Sequence, residues 1–66
     1  MDAFINGKKR AFPDRTTLSD LLAQHGVKAE QVVVELNGQV VDRVRLSETR
    51  IAPEDAVEIV HFVGGG

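Results

Sequence analysis

The residues TLSDLLAQHG, Thr17–Gly26, carry a complete set of signals for one short α-helix. Thr17 is a favourable N-cap residue, and Asp20 stands at the third helical position, where its carboxylate can complete a variant of the capping box. Gly26 suits the left-handed conformation that ends many helices. The side chains spaced as one helical face are Leu18, Leu21, Leu22 and His25. The sequence therefore predicts a helix over about Leu18–His25.

A β-hairpin is predicted before this helix. The pair Asn6-Gly7 separates two short stretches with apolar residues, and Asn-Gly readily takes the positive φ angles of a type I′ turn. We expect strands at about Asp2–Asn6 and Lys8–Phe12, after which Pro13-Asp14 breaks the pattern.

More strands are predicted after the helix. The segment Gln31–Leu36 is rich in β-branched valines and ends at a second Asn-Gly pair, Asn37-Gly38. Val40 and Val41 continue as a short strand after that turn, and the last predicted strand is Ala56–Val63.

The polar segment from residue 43 to 52 is expected to be irregular, with Leu46 and Ile51 as its anchors. The order of elements predicts an α+β fold, with a mixed sheet of four to five strands and one main helix packed across it. We expect the last strand to lie beside the first, in parallel.

Composition narrows the classes of protein that this chain can be. Its 66 residues form one domain at most, and the absence of cysteine excludes disulfides, thiolate zinc sites and cysteine nucleophiles. A net charge of −2 without a basic stripe argues against nucleic acid, since the run Lys8-Lys9-Arg10 fits a solvated hairpin strand. No segment has membrane-spanning length and no signal-peptide core is present, so we expect a cytoplasmic protein without a membrane partner.

No pattern of residues predicts catalysis, a metal or another cofactor. The hydroxyls of Ser19 and Ser47 fit a helix start and a turn better than a nucleophile. His25 and His61 have no carboxylate or cysteine companions at ligand spacing, so surface histidines are the simpler interpretation. We therefore expect a protein that is not itself an enzyme.

The sequence given ends in Val63-Gly64-Gly65-Gly66. Three glycines after a strand carry a large ordering cost and bury no side chain, so they are not expected to serve folding. A slim glycine chain can instead enter a narrow channel and present a carboxylate up to about 3.5 Å per residue beyond the domain. The prediction is a domain at 1–63 with a flexible glycine tail at 64–66. A frayed terminus is the alternative.

Four segments together resemble the sulfur-carrier proteins of thiamine (thiazole) biosynthesis. They are the Asn6-Gly7 hairpin, TLSDLL at residues 17–22, VELNGQVVDR at residues 34–43, and DAVEIVHFVGGG at residues 55–66. The resemblance covers essentially the whole chain and implies a β-grasp fold like that of ubiquitin. Two turn positions depart from the family pattern. Glu54-Asp55 stands where Gly-Asp is usual, and Asp42 stands where proline is often found before the arginine.

The resemblance implies a function for the tail. An adenylating (E1-like) enzyme would activate the carboxylate of Gly66, and a sulfur donor would convert it to a thiocarboxylate that supplies a thiazole synthase. Gly64, Gly65 and Gly66 would enter the partners' active sites. The alternatives are the small subunit of molybdopterin synthase, a ubiquitin-like modifier joined through Gly66 to other proteins, and an interaction module with an inert tail.

A partner surface is also predicted. If Ala3 and Ile5 point into the core, the alternation of a strand sends Phe4 outward, and Val60 and Phe62 point outward by the same rule. With the first and last strands adjacent, these three side chains would gather on one sheet face with Val63, and with Val33 as a further member. Cover by a loop or a second copy is the alternative.

Overall fold

The computed structural model describes residues 1–62, and within them it contains one α-helix and a five-stranded mixed sheet. The strands are β1 Asp2–Ile5, β2 Lys8–Ala11, β3 Val32–Leu36, β4 Gln39–Val40 and β5 Ala56–His61, and the helix is α1 Leu18–Gln24. Two short 3₁₀ turns occupy Ala29–Gln31 and Arg43–Arg45. The order of strands in the sheet is β2-β1-β5-β3-β4, which confirms the predicted fold class.

Both Asn-Gly pairs form the predicted turns. Asn6 and Gly7 have φ angles of 50° and 84°, and Asn37 and Gly38 have φ angles of 51° and 86°. Type I′ turns require positive φ at both central residues, and their twist matches that of the flanking strands. They therefore set the register of β1 against β2 and of β3 against β4.

The start of α1 is capped as predicted. The Asp20 N–H donates to Thr17 Oγ1 at 3.0 Å, and the Thr17 N–H donates to Asp20 Oδ2 at 3.0 Å. The end comes one residue earlier than expected, because His25 is the C-cap and Gly26 follows with a φ of 67°. His25 is exposed and does not extend the buried helical face.

The core lies between α1 and one face of the sheet. The helix contributes three buried leucines, Leu18, Leu21 and Leu22. The sheet contributes Ala3, Ile5, Val32, Val34, Val57 and Ile59. Phe12, Leu46 and Ile51 close the edges of this layer, so the two anchors expected in the polar segment are confirmed.

The last strand, β5, is the middle strand of the sheet. It runs parallel to β1, with Ile5 opposite Val57, and antiparallel to β3, with Val34 opposite Ile59. The expected adjacency of first and last strands is confirmed. The chain thus passes into residues 63–66 directly from the centre of the sheet.

Candidate functional site

The predicted reactive end of the chain is Gly66, preceded by Gly64 and Gly65. These glycines and Val63, a predicted member of the partner surface, lie outside the described residues. The described part of the site is therefore the platform from which they continue, formed by the end of β5 and the surfaces beside it.

Two asparagine side chains hold β5 in place from opposite sides. Asn6 Oδ1 accepts a hydrogen bond from the Ile59 N–H at 2.8 Å, and the Asn6 N–H donates to the Val57 carbonyl at 2.9 Å. Asn37 Oδ1 accepts from the Ala56 N–H at 2.9 Å. Each Asn-Gly turn thus makes a hairpin and also fixes the strand that leads to the site. Sequence reasoning used these asparagines only for their backbone angles.

An apolar patch covers the solvent-facing side of the sheet near the end of β5. Val60 and Phe62 are 50% and 48% exposed, and Val33, 37% exposed, lies directly opposite Val60 on β3. Val40 on β4 is 64% exposed and pairs with Glu35, which places it on this same face. We define the apolar patch as Val33, Val40, Val60 and Phe62.

Part of the apolar patch forms a shallow cleft. Val33, Val40 and Phe62 line an open depression of about 210 Å³ beside β3 and β4. The sequence analysis missed Val40, although the two-residue Asn37-Gly38 turn could have identified it. A two-residue hairpin turn pairs the residues on either side of it, so Val40 follows the orientation of Glu35.

Phe4 lies on the same solvent-facing side of the sheet as the apolar patch, as predicted, but at a distance from it. Phe4 pairs with Ala56, four residues before Val60. At about 3.3 Å per residue this separates the two positions by about 13 Å along β5. Phe4 is also half-buried, and the Lys9 ammonium lies 5.7 Å from the centre of its ring.

The two histidines lie on the other face of the sheet, beside the same end of β5. His25 and His61 line a single open cleft together with Lys8 and Arg10. Sequence analysis did not bring the basic pair and the histidines together, because the cleft is formed only when the hairpin, the helix end and β5 come together. Among residues 1–62, no group of three or more His, Cys, Asp and Glu side chains could hold a metal ion.

Two acidic residues, Asp20 and Asp55, have structural partners, in agreement with their interpretation as cap and turn residues rather than an acid–base pair. Asp20 completes the capping box of α1. Asp55 accepts from the Asn37 amide through Oδ1 at 3.0 Å and from the Ala52 N–H through Oδ2 at 2.7 Å. Both carboxylates therefore stabilise local backbone geometry.

None of the helices within residues 1–62 has the length and the apolar character of a membrane-spanning segment.

Comparison with known proteins places this architecture in a family. A profile of the ThiS family matches residues 3–66. The sulfur carrier protein ThiS of Bacillus subtilis (strain 168) is 40% identical over 63 residues, which cover 94% of this chain and 96% of that protein. The crystal structure of the thiamine biosynthesis protein ThiS from Geobacter metallireducens superposes with a TM-score of 0.85 at 38% identity, with both chains fully covered.

A longer protein also matches the whole chain. A thiazole synthase of Paramagnetospirillum magneticum (strain ATCC 700264 / AMB-1) is 36% identical over 66 residues, and the chain spans only a fifth of that protein's length. The full-length matches decide the family. The β-grasp sheet, the ThiS profile through residue 66 and the similarity to two ThiS proteins confirm the resemblance to the thiamine sulfur carriers, and the chain belongs to the ThiS family.

Proposed function

We propose that this chain carries sulfur for thiamine biosynthesis as a thiocarboxylate on Gly66. The observation that carries the proposal is the match of the ThiS family through all three terminal glycines, on a chain whose central strand leads directly into them. The described fold supplies a rigid support, since β5 is hydrogen-bonded on both sides.

The chemistry requires activation by a partner. A carboxylate is a poor acyl donor because oxide is a poor leaving group. Transfer of AMP from ATP to the Gly66 carboxylate, with release of pyrophosphate, makes a mixed anhydride whose leaving group is AMP. A sulfide-equivalent nucleophile from a donor then displaces AMP and leaves the thiocarboxylate. In this scheme the adenylating enzyme performs the first step and the chain acts as its substrate.

The thiazole synthase is the proposed acceptor of that sulfur. The match to the Paramagnetospirillum thiazole synthase supports this partner, because a segment similar to the whole chain forms part of that longer polypeptide. Donation of sulfur would return Gly66 to a carboxylate, so the carrier could be activated again.

The apolar patch is the proposed docking surface for the adenylating enzyme. Exposed apolar side chains that cluster on one face commonly mark protein interfaces, and an aromatic residue is a frequent anchor. Phe62 supplies the aromatic group, and its position next to the start of residues 63–66 would let one partner bind the patch and receive the tail.

Intact-mass spectrometry tests the proposed chemistry. The chain is incubated with an adenylating enzyme that acts on a ThiS protein, together with ATP and a sulfur donor. One oxygen of the C-terminal carboxylate should then be replaced by sulfur. A variant extended by one alanine after Gly66 is the matched control, because it retains the domain and moves the carboxylate away from glycine.

Each alternative function predicts a different result. A conjugating modifier would add its mass to other proteins, and an inert tail would leave the mass unchanged. Transfer of the sulfur to a molybdopterin precursor but not to thiazole synthase would identify the molybdopterin synthase subunit. Any of these three outcomes contradicts the proposal.

A further inference from the structure

The cleft lined by Lys8, Arg10, His25 and His61, here called the basic cleft, concentrates positive charge in a chain whose net charge is −2. Lys8 and Arg10 pair with Ile5 and Ala3 across the hairpin, so they lie on the helix-facing side of β2. The patch of like charge therefore follows from the strand register.

The basic cleft has a defined geometry. The Leu21 carbonyl lies 2.9 Å from His25 Nδ1, and Arg10 Nη1 lies 3.1 Å from His25 Nε2. A carbonyl only accepts hydrogen bonds, so Nδ1 carries the proton and Nε2 accepts from Arg10. These two contacts fit the Nδ1–H tautomer of His25, which holds the Arg10 guanidinium at the cleft.

The charges of the basic cleft have no acidic partner among residues 1–62. The ion pair in that range joins Arg45 to Glu48, and neither Lys8 nor Arg10 pairs with a carboxylate there. The cleft measures about 240 Å³, and its floor is apolar, formed by Ile5, Val27 and Ile59. An anionic group attached to a short aliphatic chain matches both the walls and the floor.

The position of the basic cleft identifies where that anion would come from. His61 is the last residue of β5, so the cleft reaches the end of the sheet from which residues 63–66 continue, and it extends back to Lys8, which pairs with Ile5 beside Val57. A partner that receives Gly66 in a channel must bring the entrance of the channel to this end. We propose that the basic cleft binds an acidic side chain, aspartate or glutamate, at the channel entrance of the adenylating enzyme. This inference rests on the proposed function.

The test compares charge reversals at the two cations. Arg10→Glu and Lys8→Glu should each slow association with the adenylating enzyme about tenfold at low salt, and the difference from wild type should shrink as salt rises. Arg50→Glu is the matched control, because it makes the same charge change at an exposed position outside the cleft. Urea unfolding checks that each variant is folded. Association of the two cleft variants at the rate of Arg50→Glu overturns the proposal.

Two further measurements separate the possible failures. Titration of the free protein with inorganic pyrophosphate, followed by NMR at Arg10 and His25, should give no saturable shift; saturable binding would make the ligand a phosphate and overturn the acidic-partner proposal. Mass spectrometry of wild type distinguishes the two levels of inference. If wild type gains sulfur but Arg10→Glu associates normally, only the basic-cleft proposal fails, whereas wild type that never gains sulfur contradicts the proposed function.

Discussion

Asn6 Oδ1 lies 2.8 Å from the backbone nitrogen of Ile59, a contact between residues 53 positions apart in the chain. The hydrogen bond joins the first turn of the chain to the strand that precedes the proposed reactive end. It replaces a ladder partner that β1 cannot supply, because β1 ends at Ile5. A single side chain therefore extends the parallel pairing of β1 and β5.

Removal of this side chain should destabilise the fold. Asn6→Gly keeps the positive φ of the turn but leaves the partly buried Ile59 N–H without its acceptor, and we expect a loss of about 1–2 kcal/mol in the free energy of unfolding. Urea denaturation measures it. Asn6→Asp is the control, because it retains an acceptor oxygen and should keep most of the stability. Equal losses in both variants would show that the contact to Ile59 is not the cause.

Replacement of Glu54 by glycine should increase the stability of the fold. Its φ is 68°, and it follows Pro53 in a turn closed by the Asp55 N–H on the Ala52 carbonyl at 3.1 Å. A residue with a Cβ is strained there by about 1–2 kcal/mol, and glycine removes the strain at some entropic cost, so Glu54→Gly should stabilise by about 0.5–1 kcal/mol. Thermal unfolding tests the gain. Glu54→Ala removes the charge alone and should change little, so a similar gain in both variants would attribute it to charge.

Phe62→Ser should weaken binding to the adenylating enzyme about 5- to 30-fold while the fold stays intact, because an exposed aromatic anchor contributes about 1–2 kcal/mol. Isothermal calorimetry measures the affinity. Val44→Ser is the matched control, since Val44 is 82% exposed and belongs neither to the apolar patch nor to the residues that line its cleft. Equal affinities for wild type and Phe62→Ser would exclude the apolar patch as the docking surface.

Glu35 and Glu58 lie directly opposite each other on β3 and β5, on the solvent-facing side. Like charges in that position repel, so Glu58→Gln should raise the free energy of unfolding by about 0.2–1 kcal/mol. The gain should diminish at high salt, because salt screens the repulsion in wild type. Urea unfolding at two ionic strengths measures both effects. A gain that is independent of salt would point to the side-chain amide rather than to relief of repulsion.

The elements that sequence reasoning predicted well are those with local causes. The capping box of Thr17 and Asp20 involves residues three apart, and the Asn37-Gly38 turn needs only its own backbone preference. The distance between Phe4 and Val60 could not be predicted, because no turn connects β1 to β5. The register of that parallel pair depends on the whole intervening chain.

The candidate site was less predictable than the fold for the same reason. Alternation along β5 indicated that Val60 and Phe62 point outward, and their exposure agrees. The basic cleft needs residues from β2, the end of α1 and β5, and the contact between Arg10 and His25 spans 15 positions. Spacing along one segment carries no information about such a contact, whereas the proposed role of Gly66 rests on resemblance to a family.

The central position of β5 has a mechanical consequence. A partner that draws on residues 63–66 applies tension along a strand whose hydrogen bonds run crosswise to the pull, so many bonds would have to shear together before the strand could slip. An edge strand pulled in the same way would be held by interstrand hydrogen bonds on one side only. The domain should therefore remain folded when a partner pulls on its C-terminal end.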